Sequence, residues 1–407
     1  MLKLLHAASL SLFVLSVTNA AHAADVENPP LFKASAVLGQ ATSGHGYNVA
    51  EKVGSDGYLR IYDVETPWGV FDVHGDQLMQ MRLKEIRTLD ALERTANSKE
   101  FGDAVVKAGL RPVEFAGELV TNPAGTVKKT VTGVGQLFNS IGSGIRNAGK
   151  SQESVAAGVT GAAKQRRLIA YNYGVDPYTD WKPLKQKLDQ LSRAAAAGGL
   201  AVTGAFILIP GAAGTVIANV ATAQTLNEMV RDYSAAQLMD INRKSLGSMG
   251  VDASLAEELL TNTHYTPTDV TAITGALRSM GKLQGVPVLI GRAAEANSRD
   301  AAYFMRRRVE LMAAHQQAAG DITGFTLVGD VPFPMATTRD NGLAGIFPLD
   351  AVSWTAEVSR SVTSLTEEAR AQGISGPLTL AITGTATPLA QKKIAALGWN
   401  LQQKLGK

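Results

Sequence analysis

Asp72, His74 and Asp76 stand two residues apart in the stretch WGVFDVHGD. On a β-strand alternate side chains share a face, so the three would point the same way. Two carboxylates and an imidazole suit zinc or manganese, and a metal held so could assist hydrolysis. The same letters also fit a polar strand face that runs into a helix cap. Imidazole is scarce: beyond the N-terminal segment only His45, His74, His264 and His315 remain.

A second match is Gly144-Ile145-Arg146-Asn147-Ala148-Gly149-Lys150-Ser151, which fits G-x-x-x-x-G-K-[ST]. A working P-loop follows a buried strand, and its amides and lysine cradle phosphates. Here QLFNSIGSG ahead of it keeps a helical spacing, so no nucleotide site and no cofactor are expected. Gly247-Ser248-Met249-Gly250 lacks the glycine two places before the serine that a nucleophile elbow needs. Thr383-Gly384-Thr385-Ala386-Thr387-Pro388 could offer amides to an anion at a strand-to-helix turn, or simply cap a helix. Arg306, Arg307 and Arg308 are consecutive, so on a helix they point three ways and read as a solvated face.

The elements that would carry these residues follow from patterning. Met1-Leu2-Lys3, the apolar run Leu10 to Val17 and the small-x-small site Ala21-His22-Ala23 predict a secretory signal peptide, residues 1–23, cut after Ala23. Residues 24–45 read as a loose leader. YNVAEKV, YLRIYDVE and WGVFDVHG alternate with period two and predict a three-stranded antiparallel meander, completing a unit over 24–76. Asp76 can cap a helix from Gln77 to about Ser98, with Leu78, Met81, Leu83, Ile86, Leu89 and Leu92 inward. Residues 127–150 form a glycine-rich basic segment able to lie on a membrane or pack on its own protein.

From Ala194 to Asn227 no charge interrupts the chain. Pro210-Gly211 splits this block, which predicts an apolar helical hairpin over 184–244 with arms at 184–209 and 212–244. Its alanine and glycine stripes allow close helix contact and add little transfer energy, which favours burial in protein over insertion in lipid. Ser254-x-x-Glu257 and Thr266-Pro267-Thr268-Asp269 predict capped helices, and Ser298 or Asn297 starts another. Strands return after Gly320, with a hairpin signal at Asp340-Asn341-Gly342 and strand–helix alternation to the end.

The expected fold class is therefore α+β. It has an N-terminal β-meander, a mainly α-helical domain over 77–320 around a buried Ala/Gly-rich hairpin, and a small α/β domain over 321–407. The chain has 407 residues, 45% hydrophobic and 18% charged, with a net charge of +3 and no cysteine. That charge gives no basis for nucleic-acid binding, and the absent cysteines exclude disulfides and thiolate chemistry. The expectation is a periplasmic or secreted envelope protein, a non-enzymatic scaffold or binding module with a protein partner. The alternatives are a metal-dependent hydrolase outside the cytoplasm and a membrane-active protein that inserts residues 194–227.

Overall fold

The computed structural model describes residues 26–96, 161–196, 220–329 and 331–406. The signal segment, the basic segment 127–150, the P-loop match and residues 197–219 of the uncharged block lie outside the described residues. The fold is α+β, as expected.

The meander is part of a larger antiparallel sheet. Its strands are β1 (Phe32–Lys33), β2 (Ser43–Gly44), β3 (Tyr47–Val49), β4 (Lys52–Ser55), β5 (Arg60–Thr66) and β6 (Gly69–His74). A short helix, α1 (Ala34–Leu38), follows β1, so the supposed loose leader is ordered from Phe32 onward. The first expected strand is broken at Ala50-Glu51. There the Glu51 carbonyl accepts from Ala34 N, and its carboxylate accepts from the amide and hydroxyl of Ser35. That break lets β3 pair with β2 while β4 pairs with β1. β5 is the centre, with Val49 opposite Val64 and Ile61 opposite His74. Tyr62, Val64 and Val73 point inward onto Leu78, Met79, Leu83 and Ile86 of α2 (Asp76–Ala96), which covers the sheet.

Further along, α2 meets α3 (Ala162–Tyr173) and α4 (Lys182–Ala196) through Leu89, Leu92, Ile169, Leu184, Leu188 and Leu191. Trp181 stands edge-on to Trp68, ring centres 5.7 Å apart, and ties this helical layer to the sheet. The second hairpin arm differs from expectation. It is two helices, α5 (Val220–Asp232) and α6 (Ala235–Ser248), because Ser234 and Gln237 form a capping box that starts a new helix. Four more follow: α7 (Ala253–Leu260), α8 (Pro267–Ser279), α9 (Val286–Ala294) and α10 (Arg299–Ala319). Asp252 rather than Ser254 caps α7, its carboxylate accepting from Leu255 N.

After α10 come β7 (Ile322–Thr326), β8 (Met335–Thr338), β9 (Leu343–Phe347), β10 (Ala351–Val352), α11 (Ala356–Ala371), β11 (Leu378–Ile382), β12 (Thr385–Ala386), α12 (Pro388–Ala396) and β13 (Trp399–Gln402). The sheet order is β13-β11-β9-β8-β7. β9, β11 and β13 are parallel, joined through α11 and α12, while β8 and β7 are antiparallel. The turn between β8 and β9 is the expected one, with Asn341 at a φ of 56°. One apolar core runs from Ile273 and Met305 of the helices through Phe333, in the loop before β8, to Ile346 and Ile382 of the sheet, so it is continuous across residue 320.

Candidate functional site

In an open α/β sheet a ligand commonly lies at the carboxyl ends of the parallel strands. Here β9 ends in Pro348-Leu349-Asp350 and β11 in Thr383-Gly384. The Leu349 carbonyl accepts from the Gly384 amide at 2.7 Å and from the Thr383 hydroxyl at 3.0 Å. The meander fills the space beyond. Its turn at Asp56, held by the Asp56 carboxylate on the amides of Tyr58 and Leu59, places the Tyr58 carbonyl against the amides of Asp350 and Ala351. Ser353 N donates to the Gly57 carbonyl in the same way.

Asp350 is the side chain at the centre of this seam. It is 2% exposed, and its Oδ2 accepts from Asp76 N at 2.9 Å and Arg60 N at 3.2 Å. Burial, and then repulsion from Asp76, hold its carboxyl well above the usual carboxylate range. Asp76 itself accepts from the Tyr62 hydroxyl at 2.6 Å and from Arg60 Nη1 at 2.5 Å.

Beside Asp350 lies a cavity of about 20 Å³, lined among others by His74, Gln77, Asp300, Tyr303 and Arg307. That is room for one water molecule. His74 is 7% exposed, and its Nδ1 has no hydrogen-bond partner among the described residues. Burial raises the Asp300 carboxyl, and the nearby His74 draws it back. Arg307 donates to Gln77 Oε1 at 2.5 Å and pairs with Glu310.

The expected metal trio is divided. Asp72 is exposed on β6, across from Asp63. His74 faces the cavity, and Asp76 is engaged by Arg60 and Tyr62. The reason is Gly75, whose φ of 98° turns the chain out of the strand and ends the period of two before Asp76 is reached. No three His, Asp or Glu side chains among the described residues are grouped to hold a metal ion. Ser248 Oγ donates to the Ser245 carbonyl and serves its helix end. At Thr383 to Pro388 an anion is present, and it is the chain's own: Glu27 Oε1 accepts from Trp354 N at 2.7 Å and from the Thr387 hydroxyl. Thr387 also caps α12 through Ala390 N.

The arginine run is not a solvated face. Arg306 pairs with Asp269 and Glu310, while Arg307 reaches the cavity. Arg308 is fully buried, donates to the carbonyls of Ile346 and Pro334, and lies 4.3 Å from the Phe347 ring centre. Arg306 and Arg307 belong to a chain of ion pairs through Glu85, Arg82, Asp180, Arg299, Asp269 and Glu310. It joins α2, the loop before α4, α8 and α10. Next to it Asp176 accepts from the hydroxyls of Thr266 and Thr268, and burial together with Asp269 raises its carboxyl. These arrangements were hidden from spacing arguments because their members come from distant parts of the chain. No known protein family, curated protein or solved structure matches the chain.

Glu27 offers a direct check of the leader's role. Glu27→Ala removes the acceptor for Trp354 N and Thr387 Oγ1. It is expected to lower stability by about 1.5–3 kcal/mol, the range for hydrogen bonds to a charged group. Urea unfolding should show a lower midpoint at an unchanged slope. An unchanged midpoint would mean that the leader is not held there in solution.

Proposed function

We propose that the chain is an exported envelope protein that works as a non-enzymatic binding module or scaffold. The observation that supports this most directly is the filled seam. Where a parallel sheet would receive a substrate, the backbone of the protein's own meander is bonded to the strand ends. The adjoining cavity, at about 20 Å³, is far below the several hundred cubic ångströms of an ordinary ligand pocket. The export half of the reading rests on the apolar run and the Ala21-His22-Ala23 site.

Two measurements test it. Cell fractionation with N-terminal sequencing should find the chain outside the cytoplasm, starting near Ala24. Recovery of Met1 in the cytoplasm would sink the export half. A panel of ester, phosphoester and peptide substrates should show no turnover. Turnover abolished by His74→Ala would replace the scaffold with an enzyme.

A second reading, membrane contact through residues 194–227, is favoured by the layout of three helices. Lys84 of α2 lies against Gly174 at the end of α3, and Arg82 and Glu85 meet Asp180 and Thr179 just before α4. Toward the other end Arg166 meets Asp189, and Glu93 lies near Lys187. The last residue of α2, the first of α3 and the last of α4 therefore share one end of the layer, remote from the cavity. The described helices on either side of residues 97–160, and the helix that leads into residues 197–219, meet at that end. Among the described residues no helix is long and apolar enough to cross a membrane. Flotation of the purified chain with anionic vesicles tests this reading, and protein left wholly at the bottom of the gradient defeats it.

A further inference from the structure

The cavity beneath the meander holds more ionisable groups than its hydrogen bonds use. His74 Nδ1 is buried without a partner, and Asp350 offers only one carboxyl oxygen to the amides of Arg60 and Asp76. Asp300 faces the same space. The cavity also sits between two apolar cores, that of the meander around Tyr62 and Val73 and that of the helices and sheet around Met305 and Ile346. We propose that it is a proton-binding site that fastens the meander to the rest of the protein, so that docking is tight in mild acid and loosens as the pH rises.

The charges around the site come from five elements. β5 brings Arg60 and Tyr62, both bonded to Asp76 of α2. β6 brings His74. α2 adds Arg82, which is taken by Glu85 and Asp180. α10 brings Asp300, Tyr303 and two arginines. Of these, Arg299 is taken by Asp180 and Asp269, and Arg307 by Glu310. The loop after β9 brings Asp350. Every arginine here already has its own carboxylate, so none is reserved for Asp300 or Asp350.

The direction follows from linkage. Burial is the first cause that raises both Asp300 and Asp350, with Asp76 adding to the second. A carboxyl with a higher pKa in the docked state keeps its proton longer there. Its contribution to docking is complete below the undocked pKa, near 4, and is lost as pH rises through the docked value. Opening the seam then releases up to two protons.

The test is amide hydrogen exchange on the full mature chain at pH 5.5, 7.0 and 8.5, each corrected for the intrinsic rate. Protection across Tyr58–Tyr62 and His74–Leu78 is expected to fall severalfold from pH 5.5 to 8.5, as the two buried carboxyls lose their protons. Protection within α10 should stay constant. The double variant Asp300→Asn/Asp350→Asn should keep its acid-pH protection at pH 8.5. Should it fail to fold, Asp300→Asn alone must reduce the fall. Equal protection at both ends of the range in the unmodified protein overturns the proposal. So does a parallel loss in α10, or a full fall that persists in either variant.

Discussion

Asp269→Ala is expected to remove a large part of the protein's folding stability. The carboxylate is wholly buried and accepts from Arg299 Nη1 at 2.5 Å, Arg306 Nη1 at 3.0 Å and Thr266 N at 2.8 Å. Burial would raise its pKa, and the two guanidinium groups more than reverse that, leaving it below the ordinary carboxylate value. Its contribution is therefore present at neutral pH and is lost as pH falls through the lowered folded pKa. Deleting it leaves Arg299 only Asp180 and Arg306 only Glu310, and removing one partner of a buried ion pair costs up to about 3–5 kcal/mol. That compares with a total of about 5–15 kcal/mol for a typical domain. Asp269→Asn keeps an acceptor for Thr266 N and should fall between the two. Urea unfolding at pH 7 decides the matter, and a loss below about 1 kcal/mol for the alanine variant would show that water screens the network.

Gly384→Val should be nearly as damaging, for a steric reason. A Cβ at Gly384 would lie 1.7 Å from the Asp350 carbonyl oxygen and 2.3 Å from its carbon. Both are backbone atoms in the seam that pairs β10 with β12, and neither can rotate away. The expected loss is at or beyond the upper end of the usual overpacking range of about 1–3 kcal/mol. Gly275→Ala is the control. That glycine is exposed within α8 with nothing within 4 Å, so the added methyl should stabilise by up to about 1 kcal/mol. A soluble Gly384→Val protein melting at the unmodified temperature would mean that the seam is not closed in solution.

The local chemistry of the chain was legible, and its long-range chemistry was not. Thr266 and Asp269 read as a helix start and are one, a reciprocal capping box. Asp340-Asn341-Gly342, Thr387-Pro388 and Gly398 mark turns and helix ends where spacing put them. Each of these depends on neighbours within four residues. The second duty of Asp269, pairing with arginines 30 and 37 residues away, leaves no local mark. Arg306 to Arg308 misled for the same reason: a helix burying three faces looks, letter by letter, like one showing three faces to water. His74 was picked out as chemically interesting, but with neighbours assigned from its own strand. Gly75 redirects the chain, and the groups that meet His74 come instead from α10 and the end of β9.

The turn at Tyr58 and Leu59 belongs to the core of the helices and C-terminal sheet, although it lies near the start of the chain. Arg60 waits for Asp350, 290 residues later, and Glu27 for Thr387, 360 residues later. During synthesis the early strands cannot complete this seam before most of the chain has been made, and contacts of such separation close slowly. If the chain is threaded through a membrane, that delay is useful. The N-terminal portion lacks the partners that would lock it, so it stays pliable enough to pass, and the last sixty or so residues act as the trigger for folding on the far side.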